Sequence, residues 1–372
     1  LGGRTPLEYA DTPNMDSIAR NGRTGILQTV PDGCEPGSDI ANLAVLGYDP
    51  RTYYTGRGPL EAASMGIDLA PGELAYRCNL VTVADGIMED FSAGHISSAE
   101  SARLFADLDA AIGEAALYPG ISYRNLLVLA GAGAETTPPH DIVGQPVDGY
   151  LPRGPDAPAL LRCMAASRQV CADHPVNRER IRSGKRPATQ IWPWSGGKKP
   201  ALPLFSARYG VSGGMISAVD LLNGIARIAG MEVIRVPGAT GYLDTDYGAK
   251  ARYALDALDR LDFVYLHVEA PDEAGHLGSI EEKVKAIERL DAMIGTILDG
   301  MEGIVAVLPD HPTPIRLKTH TADPVPFAVL GLGTDGSRVY SEKEARNGSF
   351  GCMDATAFLP MLIAAGRQTD SA

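Results

Sequence analysis

The sequence predicts an α/β fold: a parallel sheet flanked by helices, with a smaller α/β domain inserted into it. In the last third of the chain, short runs rich in Val, Ile and Leu alternate with longer amphipathic segments. Further upstream, Pro- and Gly-rich connectors flank a segment of different character. Strands that are buried on both faces of a parallel sheet have such continuous apolar runs, and the helices between them form the crossovers.

The predicted elements of the last third follow one another in βαβ order. Residues 213–218 lead into a helix over residues 219–230, and "EVIRVPG" is a short strand. "DYGAKARYALDALDRL" has apolar residues near i, i+3, i+4 and i+7, which is typical of an amphipathic helix. "DFVYLHVEA", "GIVAVLP" and "VPFAVLG" are predicted strands, and "SIEEKVKAIERLDAMIGTILDGM" is a long helix.

The middle of the chain predicts a second domain. We expect residues 1–65 and 204–372 to form the main domain and residues 66–203 the inserted one. The insert has strand-like runs, "LAYRCNLVTV" and "ISYRNLLVLAG", and helical runs, "SSAESARLFADLDAAIGEAAL" and "APALLRCMAASRQVCADH". The connectors "TTPPHDIVGQPVDGYLPRGPDAP" and "IWPWSGGKKPALP" are predicted to be its hinges.

The charge and the cysteines limit the class of partner. With 33 Lys and Arg against 46 Asp and Glu, the net charge is -13, which disfavours nucleic acids and anionic membranes as partners. The five scattered cysteines have no zinc-like spacing and suggest reduced thiols. No apolar run approaches the ~18 residues of a membrane span, and no signal peptide is visible. We therefore expect a cytoplasmic protein; the sequence does not indicate its oligomeric state.

Ligand-type side chains lie beside three predicted strands. Asp272 and His276 follow "FVYLHVE", Asp310 and His311 follow "IVAVLP", and His320 precedes "VPFAVLG". Sites in open α/β sheets form beyond the carboxyl ends of the strands. Carboxylate and imidazole ligands without cysteine suit Mn²⁺, Mg²⁺, Co²⁺ or Zn²⁺, and two ions rather than one.

Each of these motifs has a simpler explanation when taken alone. An Asp and a His four residues apart on a helix commonly form a surface ion pair. Adjacent residues of a strand, such as Asp310 and His311, point to opposite faces unless the chain leaves the strand there, which Pro312 favours. The recurrence of the pattern at several strand ends favours metal binding.

Ser38 is the candidate nucleophile. It lies in "EPGSDIANLAVLGYDP", where a Pro-Gly turn opens a helical run over residues 40–46. A serine at this place can simply cap the helix. Metal coordination and the positive end of the helix would also activate its hydroxyl as a nucleophile, and the two interpretations are compatible.

Four ordered motifs resemble one enzyme family. "PGSDIANLAVLGYDPRTYYTGRGPLEA", "APDEAGH", "LPDHPTP" and "THTADPVPF" are similar to those of the cofactor-independent phosphoglycerate mutases of archaeal type, in the alkaline phosphatase superfamily. The resemblance runs over essentially the whole chain. It implies an alkaline phosphatase-like core, an inserted substrate-binding cap, and a phosphoserine intermediate on Ser38. It also implies one metal at Asp272, His276 and His320, and another at Asp310, His311 and Ser38.

The sequence departs from the family pattern in three places. The family's "GDGM" strand, whose aspartate is a further metal ligand, is not found in this sequence. Where the family commonly has "AGRI" and "RGAG", the sequence has "SAGHI" and "WPWSGGKK", so that His95 and Trp194 stand in place of arginines. The residues that remain as candidate substrate contacts are Arg57, Arg77, Arg124, Lys198 and His95.

The resemblance implies a mutase that interconverts 3- and 2-phosphoglycerate, with two divalent ions, Mn²⁺ before Mg²⁺, Co²⁺ or Zn²⁺. The substrate would be a small phosphorylated carboxylate. A homoserine kinase-like phosphotransferase is the first alternative, although no Walker A motif is present. A metal-dependent phosphatase or sulfatase is the second, and an inserted domain that excludes water argues against it. A non-catalytic protein follows only if the natural chain lacks the "GDGM" aspartate.

Overall fold

The computed structural model describes residues 1–369 and contains two compact units. The first unit consists of residues 1–54 together with the chain from Ala201 onward. The second unit consists of Thr55–Pro200. Residues 370–372, the end of the predicted main domain, lie outside the described part of the chain.

The elements are numbered along the chain. The helices are α1 (Pro6–Tyr9), α2 (Pro13–Asn21), α3 (Ser38–Val45), α4 (Pro50–Tyr53), α5 (Arg57–Ser64), α6 (Ser98–Ala111), α7 (Ala157–Ala172), α8 (Pro175–Arg182), α9 (Phe205–Tyr209), α10 (Asp220–Ile228), α11 (Tyr247–Leu258), α12 (Ala270–Leu277), α13 (Ile280–Gly300), α14 (Glu342–Ala345) and α15 (Phe358–Thr369). The strands are β1 (Gly22–Gln28), β2 (Glu73–Ala84), β3 (Ile87–Asp90), β4 (Ala116–Ile121), β5 (Arg124–Ala130), β6 (Gln190–Gly197), β7 (Gly213–Ile216), β8 (Glu232–Val233), β9 (Phe263–Leu266), β10 (Val305–Val307), β11 (Val325–Leu330) and β12 (Cys352–Asp354).

The first unit has two sheets in its described residues, and only one of them is wholly parallel. The parallel sheet has the order β8-β7-β9, as the βαβ pattern predicts. The other has the order β10-β11-β1-β12, and β11 runs antiparallel to both β10 and β1. The prediction of an all-parallel sheet is therefore wrong for these strands. The segment between β10 and β11 contains no helix, so the chain turns back instead of crossing over.

Local sequence signals set the helices that carry the predicted ligands. Helix α12 begins after Glu269, with Pro271 in its first turn, and ends where Gly278 adopts a left-handed conformation (φ 70°). The side chain of Ser279 then accepts a hydrogen bond from the Glu282 N–H and caps α13. This boundary fixes α12 as a separate two-turn helix beside the end of β9.

The second unit has a five-stranded antiparallel sheet. The long strand β2 pairs with β3, β5 and β6, and β4 pairs with β5. The predicted hinge "IWPWSGGKKPALP" instead begins with most of strand β6. The predicted helix "SSAESARLFADLDAAIGEAAL" ends at Ala111, and its last two residues lie in β4. Pro193 is tolerated in β6 because this strand pairs with β2 alone and lies at the sheet edge.

Apolar cores fill each unit. In the second unit, side chains of β2, β5, β6, α6 and α7 form a large buried cluster, which includes Tyr76, Phe105 and Trp192. In the first unit, Leu27, Phe327 and Phe358 pack between β1, β11 and α15. Among the described residues, no helix combines the length and apolarity needed to cross a membrane.

Candidate functional site

Three of the predicted ligands converge in the first unit and are called the Asp272 cluster: Asp272, His276 and His320. Asp272 and His276 lie one turn apart on α12, and His320 lies on the loop before β11. His276 Nε2 is 3.0 Å from His320 Nε2 and 3.2 Å from Asp272 Oδ2. His320 Nε2 is 3.4 Å from Asp272 Oδ1. The potential ligand atoms of these three side chains therefore face one another.

The separations within this cluster suit a shared ion. With metal–ligand bonds of about 2.1 Å, neighbouring ligands of a four- or six-coordinate ion lie about 3.0–3.4 Å apart. The outer ring nitrogens are also held in place, since His276 Nδ1 is 3.0 Å from the Lys318 carbonyl and His320 Nδ1 is 3.4 Å from the Pro36 carbonyl. Such backbone contacts orient imidazoles for metal binding.

The remaining predicted ligands form a second group, the Ser38 cluster: Ser38, Asp310 and His311. Ser38 Oγ is 3.0 Å from His311 Nε2, which is 3.6 Å from Asp310 Oδ2. Ser38 is the first residue of α3, but the N-cap is Gly37, and no side chain caps this helix. The cap interpretation of Ser38 is therefore wrong, because its hydroxyl faces His311 instead.

The two clusters adjoin each other. The ring centroids of His311 and His320 are 4.0 Å apart. The ligand atoms of Asp272, His311 and His320 all lie within 4.8 Å of one another, so these three residues alone could also hold an ion. A site for two neighbouring cations needs ligand groups as close as this.

Both carboxylates are ionised in this arrangement. Burial alone would raise the pKa of Asp310, but His311, His267 and a hydrogen bond from Asn42 hold that pKa far below its ordinary value. Burial also opposes ionisation of Asp272, whereas His320 and Thr313 lower its pKa. The site thus presents two anionic carboxylates among imidazoles, a donor set suited to divalent cations.

The predicted substrate contacts all lie in the second unit. Arg77 is the most strongly fixed of them: its Nε is 3.0 Å from Glu61 Oε1, and its guanidinium lies 4.3 Å from the centre of the Trp194 ring. Trp194 Nε1 in turn donates to Asn79 Oδ1 at 2.9 Å. Trp194 therefore supports an arginine from a neighbouring strand, although the family pattern has an arginine at its own position.

Of the other four predicted contacts, Arg57 is half-buried like Arg77, and the remaining three are exposed. Arg57 begins α5, and its backbone N–H donates to Ser195 Oγ. Arg124 begins β5 and lies 5.9 Å from the Tyr123 ring centre. His95 and Lys198 are both exposed; the Lys198 carbonyl accepts a bond from Thr55, and the His95 ring is 6.4 Å from that of Tyr123.

Comparison with known proteins decides the family. A model of the family described as 2,3-bisphosphoglycerate-independent phosphoglycerate mutase matches residues 19–177. The protein of that name from Methanothrix thermoacetophila is 52% identical, over 98% of this chain and 95% of its own length. The one from Methanosarcina acetivorans is 51% identical with the same coverage. This chain belongs to the 2,3-bisphosphoglycerate-independent phosphoglycerate mutase family. The resemblance inferred from the four motifs is confirmed.

Solved structures support this family assignment. A protein of Pyrococcus horikoshii matches with a TM-score of 0.85 and 31% identity, over 99% of this chain and 93% of its own. The cofactor-independent phosphoglycerate mutase of Thermoplasma acidophilum matches with a TM-score of 0.68 and 28% identity, over 98% of this chain and 95% of its own. The described α/β architecture is therefore that of a phosphoglycerate mutase structure over nearly its whole length.

Sequence reasoning missed several side chains beside the ligands. His267 Nε2 lies 3.4 Å from Glu269 Oε2 and 3.8 Å from Asp310 Oδ2. The buried Lys250 donates from Nζ to the His267 carbonyl at 2.8 Å. Burial raises the pKa of the Glu269 carboxyl to about 7 and lowers that of Lys250 to about 8. The "HVE" that follows β9 was a usable signal, because residues two apart in an extended segment point the same way.

Two further missed residues hold ligands in place. Thr313 Oγ1 donates to Asp272 Oδ1. Asn42 Nδ2 donates to Asp310 Oδ2 at 2.8 Å. A polar residue four positions after Ser38 on a helix was the only local signal for Asn42.

Proposed function

We propose that this chain is a 2,3-bisphosphoglycerate-independent phosphoglycerate mutase that interconverts 3- and 2-phosphoglycerate through a phosphoserine on Ser38. The observation that carries the proposal is the place of the Ser38 hydroxyl, 3.0 Å from His311 Nε2 and at the start of α3. The names of the relatives supply the substrate. The core is proposed to be of alkaline phosphatase type.

Two divalent ions are part of this proposal, with Mn²⁺ preferred to Mg²⁺, Co²⁺ or Zn²⁺. The Asp272 cluster would hold one ion and the Ser38 cluster the other. Support comes from the ionised carboxylates and from ligand separations of 3.0 to 3.6 Å. When bound, such ions supply positive charge that acidifies the serine hydroxyl and neutralises phosphoryl oxygens.

The chain's own groups account for the transfer. Ser38 Oγ loses its proton and forms a bond to phosphorus while the bond between phosphorus and the glycerate oxygen breaks, and that oxygen takes up a proton. After the glycerate reorients, its other hydroxyl loses a proton and attacks the same phosphorus. The bond between phosphorus and Ser38 Oγ then breaks, and Oγ takes up a proton. The positive end of α3 favours the anion that forms beside its first residue in both halves.

The second unit offers a cationic surface for the substrate carboxylate. Burial is the largest cause that lowers the pKa of Arg77. The positive charges of Arg57 and Arg124 lower this pKa further, so the three guanidinium groups lie near one another. We propose that Arg77 is the principal contact, because Glu61 and Trp194 hold its guanidinium. A protein of net charge -13 must attract an anionic substrate locally in this way.

The five cysteines, all described and unpaired, suit the cytoplasm, where we propose that the reaction occurs.

The test is a direct assay on the complete chain with Mn²⁺. ³¹P NMR with 3-phosphoglycerate should show 2-phosphoglycerate without added nucleotide and without inorganic phosphate. Release of phosphate instead would identify a phosphatase. Formation of O-phosphohomoserine from ATP and homoserine, with no mutase activity, would identify the kinase-like alternative.

A further inference from the structure

The buried amide of Asn42 connects the nucleophile to a predicted metal ligand. Asn42 is fully buried on α3, one turn after Ser38. Its Nδ2 donates both to the Ser38 carbonyl and to Asp310 Oδ2, each at 2.8 Å. Its Oδ1 accepts a hydrogen bond of 2.6 Å from the hydroxyl of Tyr265 on β9. The amide thus joins helix α3, strand β9 and the loop after β10.

The partners allow only one orientation of this amide. Both of its N–H groups point to acceptors, a carbonyl and an ionised carboxylate, and its oxygen points to a donor. In the flipped orientation the oxygen would face the Asp310 carboxylate and the Ser38 carbonyl, which donate nothing. The Tyr265 hydroxyl would then face an N–H group. The Ser38 carbonyl and the Asp310 carboxylate therefore fix the direction in which Asn42 donates, and the Tyr265 hydroxyl donates to the amide oxygen that this orientation leaves.

We propose that Asn42 is a positioning residue for phosphoryl transfer, and that Tyr265 acts through it. Through its two hydrogen bonds, Asn42 fixes the position of the Asp310 carboxylate relative to the first turn of α3, which carries the Ser38 hydroxyl. Neither residue touches the reacting phosphorus in this assignment. The inference rests on the proposed mutase function, because it assigns Ser38 and Asp310 their roles in that reaction.

The contacts explain why this link matters. Asp310 Oδ2 lies 3.8 Å from His267 Nε2 and 3.6 Å from His311 Nε2, whereas Oδ1 accepts a hydrogen bond of 2.9 Å from the His311 N–H. The Asn42 bond ties this carboxylate directly to the helix of the nucleophile. Removing a group that hydrogen-bonds to a metal ligand typically changes metal affinity or activity by about 10–100-fold.

A double-mutant cycle tests the proposal. Asn42→Ala should lower kcat with 3-phosphoglycerate roughly 10–100-fold and weaken Mn²⁺ binding roughly tenfold by calorimetry. KM should change by less than about twofold, because no substrate contact is removed. Tyr265→Phe alone should lower kcat about fivefold, as loss of one hydrogen bond allows. In the Asn42→Ala background, Tyr265→Phe should have no further effect beyond about twofold.

Two matched controls separate positioning from stability. Asn177 is a buried asparagine in the second unit whose side chain also makes three hydrogen bonds. The Tyr340 hydroxyl is a buried donor to the Pro326 carbonyl. Asn177→Ala and Tyr340→Phe should reduce the melting temperature but leave kcat per folded molecule and Mn²⁺ affinity unchanged.

Several outcomes would overturn the inference. It fails if the effects of the two substitutions multiply in the double mutant, because Tyr265 would then act independently of Asn42. It also fails if kcat and Mn²⁺ affinity stay at the wild-type level. If Asn42→Ala does not fold, Tyr265→Phe decides by the same two measurements. If the wild-type chain lacks mutase activity, the proposed function fails instead, and the Mn²⁺ affinities still test the link to Asp310.

Discussion

Replacing Ser38 by alanine separates chemistry from stability at the candidate site. The substitution removes one hydroxyl, whose contact is His311 Nε2 at 3.0 Å. It removes no helix cap, because Gly37 occupies the N-cap position. The expected cost to stability is therefore that of one hydrogen bond, about 0.5–1.5 kcal/mol. This corresponds to a fall of about 1–6 °C in melting temperature for a domain of this size.

The effect on turnover should be far larger. A covalent nucleophile cannot be bypassed by neighbouring groups, and its loss in other enzymes costs on the order of 10⁴–10⁶ in kcat. The assay is conversion of 3- to 2-phosphoglycerate with Mn²⁺, together with acid-quench detection of a phosphorylated protein. Wild type should show a phosphoenzyme, and Ser38→Ala should show none.

Ser101→Ala is the matched control for this experiment. Ser101 is buried, whereas Ser38 is half-buried, and it likewise makes one side-chain hydrogen bond, to Asn125 Oδ1 at 3.0 Å in the second unit. It should lose similar stability and retain full activity. Retention of more than about 1% of wild-type kcat by Ser38→Ala would refute the phosphoserine mechanism, since no other nucleophile is assigned.

Three further substitutions probe the ligands, the substrate surface and an acid-sensitive loop. Asp272→Asn should weaken Mn²⁺ binding by roughly 100-fold or more in calorimetry, and unchanged affinity would exclude Asp272 as a ligand. Arg77→Lys should raise KM for 3-phosphoglycerate roughly tenfold, because lysine cannot reproduce the planar fork held against Trp194; an unchanged KM would remove Arg77 from the substrate site. Backbone N–H groups hold the pKa of Asp335 below its ordinary value although burial opposes this, so its stabilisation is complete above about pH 4 and is lost as the pH falls. The melting temperature of Asp335→Asn should therefore fall less than that of wild type between pH 5 and pH 3. Equal falls in melting temperature would contradict this reasoning.

Local sequence patterns were sufficient for the ligand-bearing elements of the first unit. The strand before Asp272 and the short helix that carries Asp272 and His276 follow from an apolar run, a proline and a four-residue spacing. The resemblance to the family grouped these residues with His320, because His320 precedes its strand and a parallel sheet would have placed it at the other end. The ligand roles themselves stay predictions.

Contacts between distant segments were not predictable in this way. Tyr265 and Asn42 are 223 positions apart, and nothing in either local sequence indicates their hydrogen bond. Strand β6 was mistaken for a hinge because its Pro and Gly residues are turn formers, and only its edge position allows them in a sheet. The Arg77–Trp194 contact depends on this same pairing of β2 with β6.

The antiparallel β10–β11 pair has a consequence for the site. In a parallel arrangement, a crossover helix would separate the two strands and carry their flanking residues to opposite ends of the sheet. Here a loop connects them directly, and the Thr321 N–H donates to the Pro312 carbonyl at 3.0 Å. These two residues directly follow His320 and His311, so this one backbone bond draws the two imidazoles together, with ring centres 4.0 Å apart. The departure from the predicted parallel sheet is thus what lets one loop supply ligands to both clusters.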